Sequence, residues 1–462
     1  MRAIGYTLET ALADVVDNSI AAGAKRIAVD FFWDGPRSRI VVTDDGRGMT
    51  DGALREALRP GTQGPLAPRS AQDLGRFGLG LKTASFSQGR RLTVLSKPPG
   101  GPVSYWLWDL DHVVRTNRWE LVRQPRPDAA LLAALESAPS GTVVVWDALD
   151  RLTGHTAPDN PRHRDAFLAQ AQAVKQHLSM VFHRFLETGR IRLEMNGHAL
   201  EPWDPFLRGV PATKPHPDEP LDGGVFAKGY VLPHHSLLTA ERHRLAGGAE
   251  GWNTRQGFYL YRNERLLVAG DWLGMFKKEE HYKLARIRVD IPSTADADWH
   301  LDIKKCSARP PASLRGDLER IAKYVRREAE EVYRTRAKAT QRSLPQEFTM
   351  VWQQKQRLGK RHYEINRGHP LVVKALTNPE PTALRHLLRL LEETVPVPLI
   401  SLNESSQPDG HGNPFEGVTD ELLALLKLTY EGMKPAHGPA GAKRILLMTE
   451  PFNDYPHLVE SL

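Results

Sequence analysis

The feature that most constrains this chain is a helical run that does not stay apolar. In YTLETALADVVDNSIAAGAKRIAVDFF, residues 6–32, Ala, Leu and Val recur at three- and four-residue spacing as far as Ala21, and Gly23 then breaks the helix. Ile27, Val29 and Phe31 alternate, as a half-buried strand requires. The segment reads as a helix feeding a strand. Yet Asp17 and Asn18 interrupt the run, and Asp14 and Asn18 stand four apart on one helix face. A solvated face accounts for one such residue more easily than for the whole set.

Three further segments add to this. In RIVVTDDGRGM, Ile40, Val41 and Val42 make a short strand that ends at Asp44 and Asp45, and Gly46 and Gly48 allow a tight turn where a ligand can approach the backbone. A buried carboxylate at a strand end can accept a hydrogen bond from the exocyclic amine of a base, although a plain strand-turn-helix junction reads the same way. The Gly- and Pro-rich stretch PGTQGPLAPRSAQDLG has the composition of a loop or lid. It leads into GRFGLGLKTASFSQG, where Gly75, Gly78 and Gly80 precede a helix expected from about Leu81. Successive N–H groups and a helix N-terminus suit an anion, and Lys82 adds positive charge. The glycine spacing fits neither the dinucleotide fingerprint nor the Walker loop. The segments RRLTVLSK, VSYWLWDLD and GTVVVWDAL then read as strands of one mixed sheet, with helices expected on one face.

Composition sets the outer limits. A length of 462 residues calls for two or three domains. One cysteine, Cys306, excludes a disulfide framework and a cysteine metal cluster. No apolar run reaches spanning length, and the first residues lack a secretion-signal pattern, so a cytoplasmic protein without a membrane partner is expected. A formal charge of +7 is compatible with nucleic-acid contact and equally with an arginine-rich surface.

The order DVVDN, DDGRGM, GRFGLGLK and GT resembles the GHKL ATPases, a class that includes DNA gyrase B, MutL, the ninety-kilodalton heat-shock chaperones, histidine kinases and MORC proteins. The resemblance implies ATP and Mg²⁺ as ligands. It implies that Asn18 coordinates the metal, that Asp44 bonds the adenine amine and that Thr142 supports Asp44. It places Gly46, Gly48 and Met49 around the base. It assigns Gly75, Gly78, Gly80 and Lys82 to the phosphates. The hydrolysing members carry a glutamate four residues before the metal asparagine; here that position holds Asp14, one methylene and about 1.5 Å shorter. Three outcomes follow from that departure. Asp14 is the general base, Glu9 or another acid replaces it, or the chain binds ATP and hydrolyses it slowly as a switch.

Beyond the first domain, the helical stretch that ends in LSMVFHRFLETG precedes RIRLEMNGHALEPWDPFL, with a turn at Asn196-Gly197. GFYLYRNERLLVAG repeats that logic about Asn263, and YKLARIRVDIP is another strand. These phrases are similar to the second domain of gyrase B, MutL and MORC, a ribosomal-protein-like β-α transducer. In that family a lysine of this domain reaches the γ-phosphate. The matching residues here are Lys304 and Lys305, with Lys305 favoured, and a surface basic pair is the alternative. A charged helix follows from Ser313 to near Ala339, and then a small, mostly helical region whose basic run KQRLGKRH could meet phosphates.

The expected fold is therefore α+β. It comprises a GHKL α/β sandwich at 1–155, a transducer domain with connecting helices at 156–338 and a mostly helical region at 339–462. The expected function is Mg²⁺-dependent binding and slow hydrolysis of ATP that gates homodimerisation. The resemblance to prokaryotic MORC-like and MutL-like chains points to DNA, and to partner proteins of a restriction or anti-phage system. A chaperone-like ATPase and a non-hydrolysing ATP-sensing scaffold are the rivals.

Overall fold

The computed structural model describes residues 5–59, 80–153, 160–234, 237–248, 250–295, 298–300, 308–342, 349, 351–357, 360–377, 381–393, 395 and 420–462. Helix α1 (Leu8–Ala21) starts on a capping box in which Thr7 and Thr10 satisfy each other's backbone N–H, and Gly23 (φ +79°) follows its end. The chain then makes β1 (Arg26–Phe32), β2 (Arg39–Asp44), α2 (Asp51–Leu58), α3 (Gly80–Gln88), β3 (Arg91–Lys97), β4 (Ser104–Asp109), α4 (Leu110–Thr116), α5 (Ala129–Ser137) and β5 (Gly141–Asp147). Helices α6 (Pro161–Val181) and α7 (His183–Glu187) lead to β6 (Arg192–Met195) and β7 (His198–Ala199).

These strands form a seven-stranded sheet in the order β4-β3-β5-β2-β1-β6-β7. All pairs are antiparallel except β1 with β6. Val29, Val42, Val94 and Val144 share one core with Leu12 and Val16 of α1, Phe86 of α3 and Val174 of α6. Val41, Leu95, Val143 and Val145 face the other way and pack with Leu131, Leu132 and Leu135 of α5. The expectation of helices on a single face is thus corrected: α5 covers the second face as well. The unbroken apolar runs Ile40–Val42 and Val143–Trp146 already carried that signal, because a strand buried on both faces does not alternate.

A second sheet follows, from β8 (Lys214–Pro215), β9 (Glu219–Leu221), β10 (Val225–Val231), β11 (Gly257–Arg262), β12 (Arg265–Asp271) and β13 (Ala285–Ile291), with helices α8 (Ala240–Gly247) and α9 (Gly251–Thr254) between β10 and β11. Its order is β12-β11-β13-β10-β8, with β9 also on β10. The β6–β7 hairpin, grouped above with this second set of strands, belongs to the first sheet instead, where β6 runs parallel to β1. Both expected turns are present. Asn196 and Gly197 (φ +47° and +75°) close β6–β7, and Asn263 and Glu264 (φ +48° and +70°) close β11–β12. Two positive φ values in succession match the strand twist of a tight hairpin.

The chain divides into two compact units, residues 1–278 with 284–327, and 279–283 with 328–462. The division falls inside α10 (Ala312–Arg342). The second unit contains a hairpin of β14 (Trp352–Arg357) and β15 (Lys360–Ile365), then α11 (Pro370–Leu376), α12 (Pro381–Glu393) and a long helical stretch Asp420–Leu446 interrupted at Gly438. Leu422, Leu426, Tyr430, Leu446 and Phe452 form its main apolar cluster. This hairpin departs from the mostly helical expectation for the region: its strands are mostly polar and basic, with no apolar alternation to mark them. Among the described residues no helix is long and apolar enough to cross a membrane.

Candidate nucleotide-binding site

One end of the site is built on Asp44, the last residue of β2, whose side chain is 9 % exposed. Ser19 Oγ of α1 donates to its Oδ2 at 2.8 Å, and the Gly46 N–H donates to Oδ1 at 2.9 Å. Burial pushes the Asp44 carboxyl above its ordinary range, while the bonds from Ser19 and Gly46 pull it down. An ionised carboxylate has about four lone-pair positions, so two donors leave room for a ligand amine.

Thr142 lies directly across from Asp44 on β5. Its hydroxyl is 2.9 Å from Ser96 Oγ, which also accepts the Met49 N–H at 2.9 Å. The predicted residues Asp44, Gly46, Met49 and Thr142 are therefore brought together. Ser19 and Ser96, absent from the sequence reading, tie them to α1 and β3. A serine in a helix or strand has no pattern that singles it out, and only the fold reveals these two.

Close backbone approach explains two of the glycines here. Gly48 has φ +60°, and a Cβ there would sit 1.9 Å from the Lys97 carbonyl oxygen. Gly141 has φ +153°, and its Cβ would sit 2.3 Å from the Asp44 carbonyl oxygen. The neighbouring Asp45 has a different duty. It accepts the N–H groups of Lys25 and Arg26 at 2.7 and 2.8 Å and pins the start of β1.

The other end is built on Asp14, buried in α1. The Tyr6 hydroxyl donates to Asp14 Oδ2 at 2.8 Å. A Cβ on Gly80, the first residue of α3, would lie 3.6 Å from that same oxygen. The carboxylate thus stands beside the amino end of α3, where helix N–H groups favour an anion. Asn18 is one turn further along α1 and exposed. Asp17, between them, is 1 % exposed and pairs with Arg265 of β12 at 3.2 Å.

Lys82 is buried, and its ammonium donates to the Ala57 and Arg59 carbonyls at 3.0 and 2.8 Å. Burial lowers its pKa, and nearby Glu56 opposes the shift. The ammonium sits on the carbonyl end of α2, where the helix dipole favours a cation. Gly75, Gly78, Lys304 and Lys305 lie outside the described residues.

A separate polar hollow of about 500 Å³ is lined by His183, Arg184, Glu187, Arg208 and residues of the second sheet. His183, Glu187 and Asp204 offer ligand atoms within 4.8 Å of one another. Arg208 occupies that charge position already, bonding both Glu187 oxygens at 2.8 Å and Asp204 at 3.0 Å. Glu187 is held down at about 2: burial opposes this, and the bonds from His183 and Arg208 outweigh it. This cluster reads as a salt-bridge network.

Residues 6–142 match the family of histidine kinase-, DNA gyrase B-, and HSP90-like ATPases. ATPase morc-1 of Caenorhabditis elegans is 36% identical over 91 residues, 20% of this chain and 10% of that protein. DNA mismatch repair protein MutL of Rhodospirillum rubrum is 37% identical over 92 residues, 20% of this chain and 14% of that protein. The aligned stretches thus span a small part of these relatives. The amino-terminal region is an ATP-binding module of the GHKL type, partially similar to MORC-like and MutL-like ATPases, and that fold implies a capacity for nucleotide hydrolysis.

Proposed function

We propose that this chain binds Mg²⁺·ATP along α1 and hydrolyses it slowly to gate homodimerisation. The observation that carries the reading is Asp44. Its buried carboxylate has one donor on each oxygen and acceptor capacity left for an adenine amine, beside a main chain too close to β3 for any residue but glycine at position 48. Asn18, exposed on α1 one turn beyond Asp14, would hold the metal with its amide oxygen. Mg²⁺ bound there would offset phosphate charge.

In this reading Asp14 is the general base. Water attacks the γ-phosphorus, its proton passes to the Asp14 carboxylate, and the bond to the β-phosphate oxygen breaks to leave ADP and phosphate. Lys305, with Lys304 as the alternative, would stabilise the transferring group, and Gly75, Gly78 and Gly80 would cradle it. Lys82 joins that cradle only by leaving the α2 carbonyls. The division into regions at 1–155, 156–338 and 339–462 belongs to the same proposal, as does the transducer identity of the second sheet.

DNA is the proposed partner, on the charge of +7 and on the likeness to a mismatch repair protein. A role in a restriction or anti-phage system, with partner proteins, rests on resemblance to MORC-like chains. One observation favours a non-hydrolysing scaffold as the second reading: Asp14 is short, and Tyr6 already bonds it.

Steady-state hydrolysis with Mg²⁺, for wild type and Asp14→Ala, with and without DNA, separates these readings. The variant is expected to bind ATP and to lose about 10²–10⁴-fold in kcat. Wild type that binds ATP without turnover would establish the scaffold. DNA binding that shows no salt dependence in any nucleotide state would remove DNA as the partner.

A further inference from the structure

The buried pair between Asp17 and Arg265 ties helix α1 to strand β12 of the second sheet. The residues are 248 positions apart, and their side chains are 1 % and 5 % exposed. Arg265 opens β12 directly after the two-residue turn Asn263–Glu264, so its backbone position is set by the tip of a tight hairpin. Its guanidinium lies 5.4 Å from the Phe182 ring centroid, donates to the Leu266 carbonyl and reaches Asp17 through Nε. Helix α6 packs against both α1 and β12 beside this contact.

Asp17 is a poor choice for stability alone. A charge this deep loses its hydration, and an apolar pair of the same shape often serves a core as well or better. What an ion pair adds is registry, since it is satisfied in one arrangement of its two elements. Here the elements are α1, whose neighbouring residues Asp14 and Asn18 serve the nucleotide, and the β11–β12 hairpin. β11 pairs in parallel with β13, and Lys304 and Lys305 follow β13 in the chain.

We infer that Arg265 is a positioning residue: through Asp17 it sets the place of α1 at the phosphate end, and through the same contact it passes the nucleotide state of α1 to the β11–β12 hairpin. The inference rests on the ATP reading above. A displacement of Asn18 along α1 must move Asp17, its covalent neighbour, and a buried pair cannot follow by exchanging its partner for water.

The test uses the full chain and the variants Asp17→Asn, Arg265→Met and Arg265→Lys. Folding is checked by thermal melting, Mg²⁺·ATP affinity by calorimetry and turnover by phosphate release. Hydrogen exchange over residues 257–271 is measured with and without Mg²⁺·ATP. Wild type is expected to show nucleotide-dependent protection of the hairpin. Asp17→Asn and Arg265→Met are expected to keep affinity within about threefold, to lose about tenfold or more in kcat and to lose that protection. Arg265→Lys keeps the charge and is expected to restore part of both.

If Arg265→Met does not fold, the near-isosteric Asp17→Asn carries the result. Wild-type turnover and wild-type protection in the folded variants would overturn the inference. A wild type that binds ATP with no response in the hairpin would overturn it too, with the ATP reading intact. A wild type that binds no ATP would end both.

Discussion

At the base end, Asp44 is fixed by main chain and by short side chains: the Gly46 N–H, Ser19, and the Ser96–Thr142 pair behind it. At the proposed phosphate end, Asp14 accepts from the Tyr6 hydroxyl and stands beside the first residue of α3. The first arrangement is a closed piece of sheet architecture, with glycines where strands and turn nearly touch. The second is assembled from the middle of α1, the start of α3 and a residue that precedes α1. In the proposed pose the base would therefore meet a rigid seat and the phosphates an adjustable one. Recognition and turnover are then separable by mutation.

The largest expected contrast comes from adding one methyl group at each end. Gly48→Ala drives a Cβ into the Lys97 carbonyl at a positive φ, and Lys97 cannot retreat without breaking the pairing of β3 with β5. Strain and overpacking of that kind each cost about 1–3 kcal/mol. Gly80→Ala meets only an ordinary contact at 3.6 Å, and a helical alanine is favoured over glycine by about 1 kcal/mol. Thermal melts should show Gly48→Ala clearly destabilised and Gly80→Ala unchanged or raised. Equal losses would remove the distinction between a closed and an adjustable end.

Asp44→Asn is the next step down. It keeps the shape and removes the charge that accepts from Ser19 and, in the proposed pose, from the base. Hydrogen bonds to charged groups contribute about 1.5–3 kcal/mol, so ATP affinity should fall by about 10- to 100-fold. The same substitution has a pH signature. Because burial raises the Asp44 pKa in the fold above its unfolded value near 3.8, the native state holds that proton longer. Asp44 therefore makes stability fall as pH rises through the window just above 3.8, and Asp44→Asn should remove that component from the ligand-free protein. Denaturant titrations across acid pH would read it, and an unchanged pH slope would contradict the assignment.

The same contrast governs what could be read from residues alone. Helix α1, β1, β2, β5 and both hairpin turns follow from apolar spacing and from Asn-containing turns, which are local properties. The assignment of Asp44 over Asp45 came from resemblance, because two adjacent acids look alike until one is seen capping the Lys25 and Arg26 N–H groups. Ser19 and Ser96 are invisible locally because their partners Asp44 and Thr142 lie 25 and 46 positions away, and the Asp17–Arg265 pair is the extreme of that kind; Tyr6, eight positions before Asp14, precedes α1 and shares no helical spacing with it. The β6–β7 hairpin was visible as a hairpin, yet its sheet was not: pairing with β1 is a long-range choice that alternation does not encode. The β14–β15 hairpin had no apolar pattern to betray it.

The smallest effect is the most discriminating. Tyr6→Phe removes the hydroxyl that bonds Asp14, and Ser96→Ala removes the hydroxyl that bonds Met49, Gly141 and Thr142; a hydrogen bond contributes about 1 kcal/mol to stability. Both variants are therefore expected to lose melting temperature, Ser96→Ala the more, and a drop in stability does not say which end acts on base or phosphate. Kinetics can. The Tyr6 hydroxyl orients the carboxylate proposed to take the proton, so Tyr6→Phe should change kcat by several-fold and leave ATP affinity alone, since no base contact is touched. Ser96→Ala should do the reverse, because the Met49 and Thr142 it bonds are the residues proposed to shape the seat of the base. Measured together, the two variants form a crossed pair. If both altered kcat and affinity in the same proportion, the site would behave as one coupled network, and the separation of a fixed base end from an adjustable phosphate end would have to be given up.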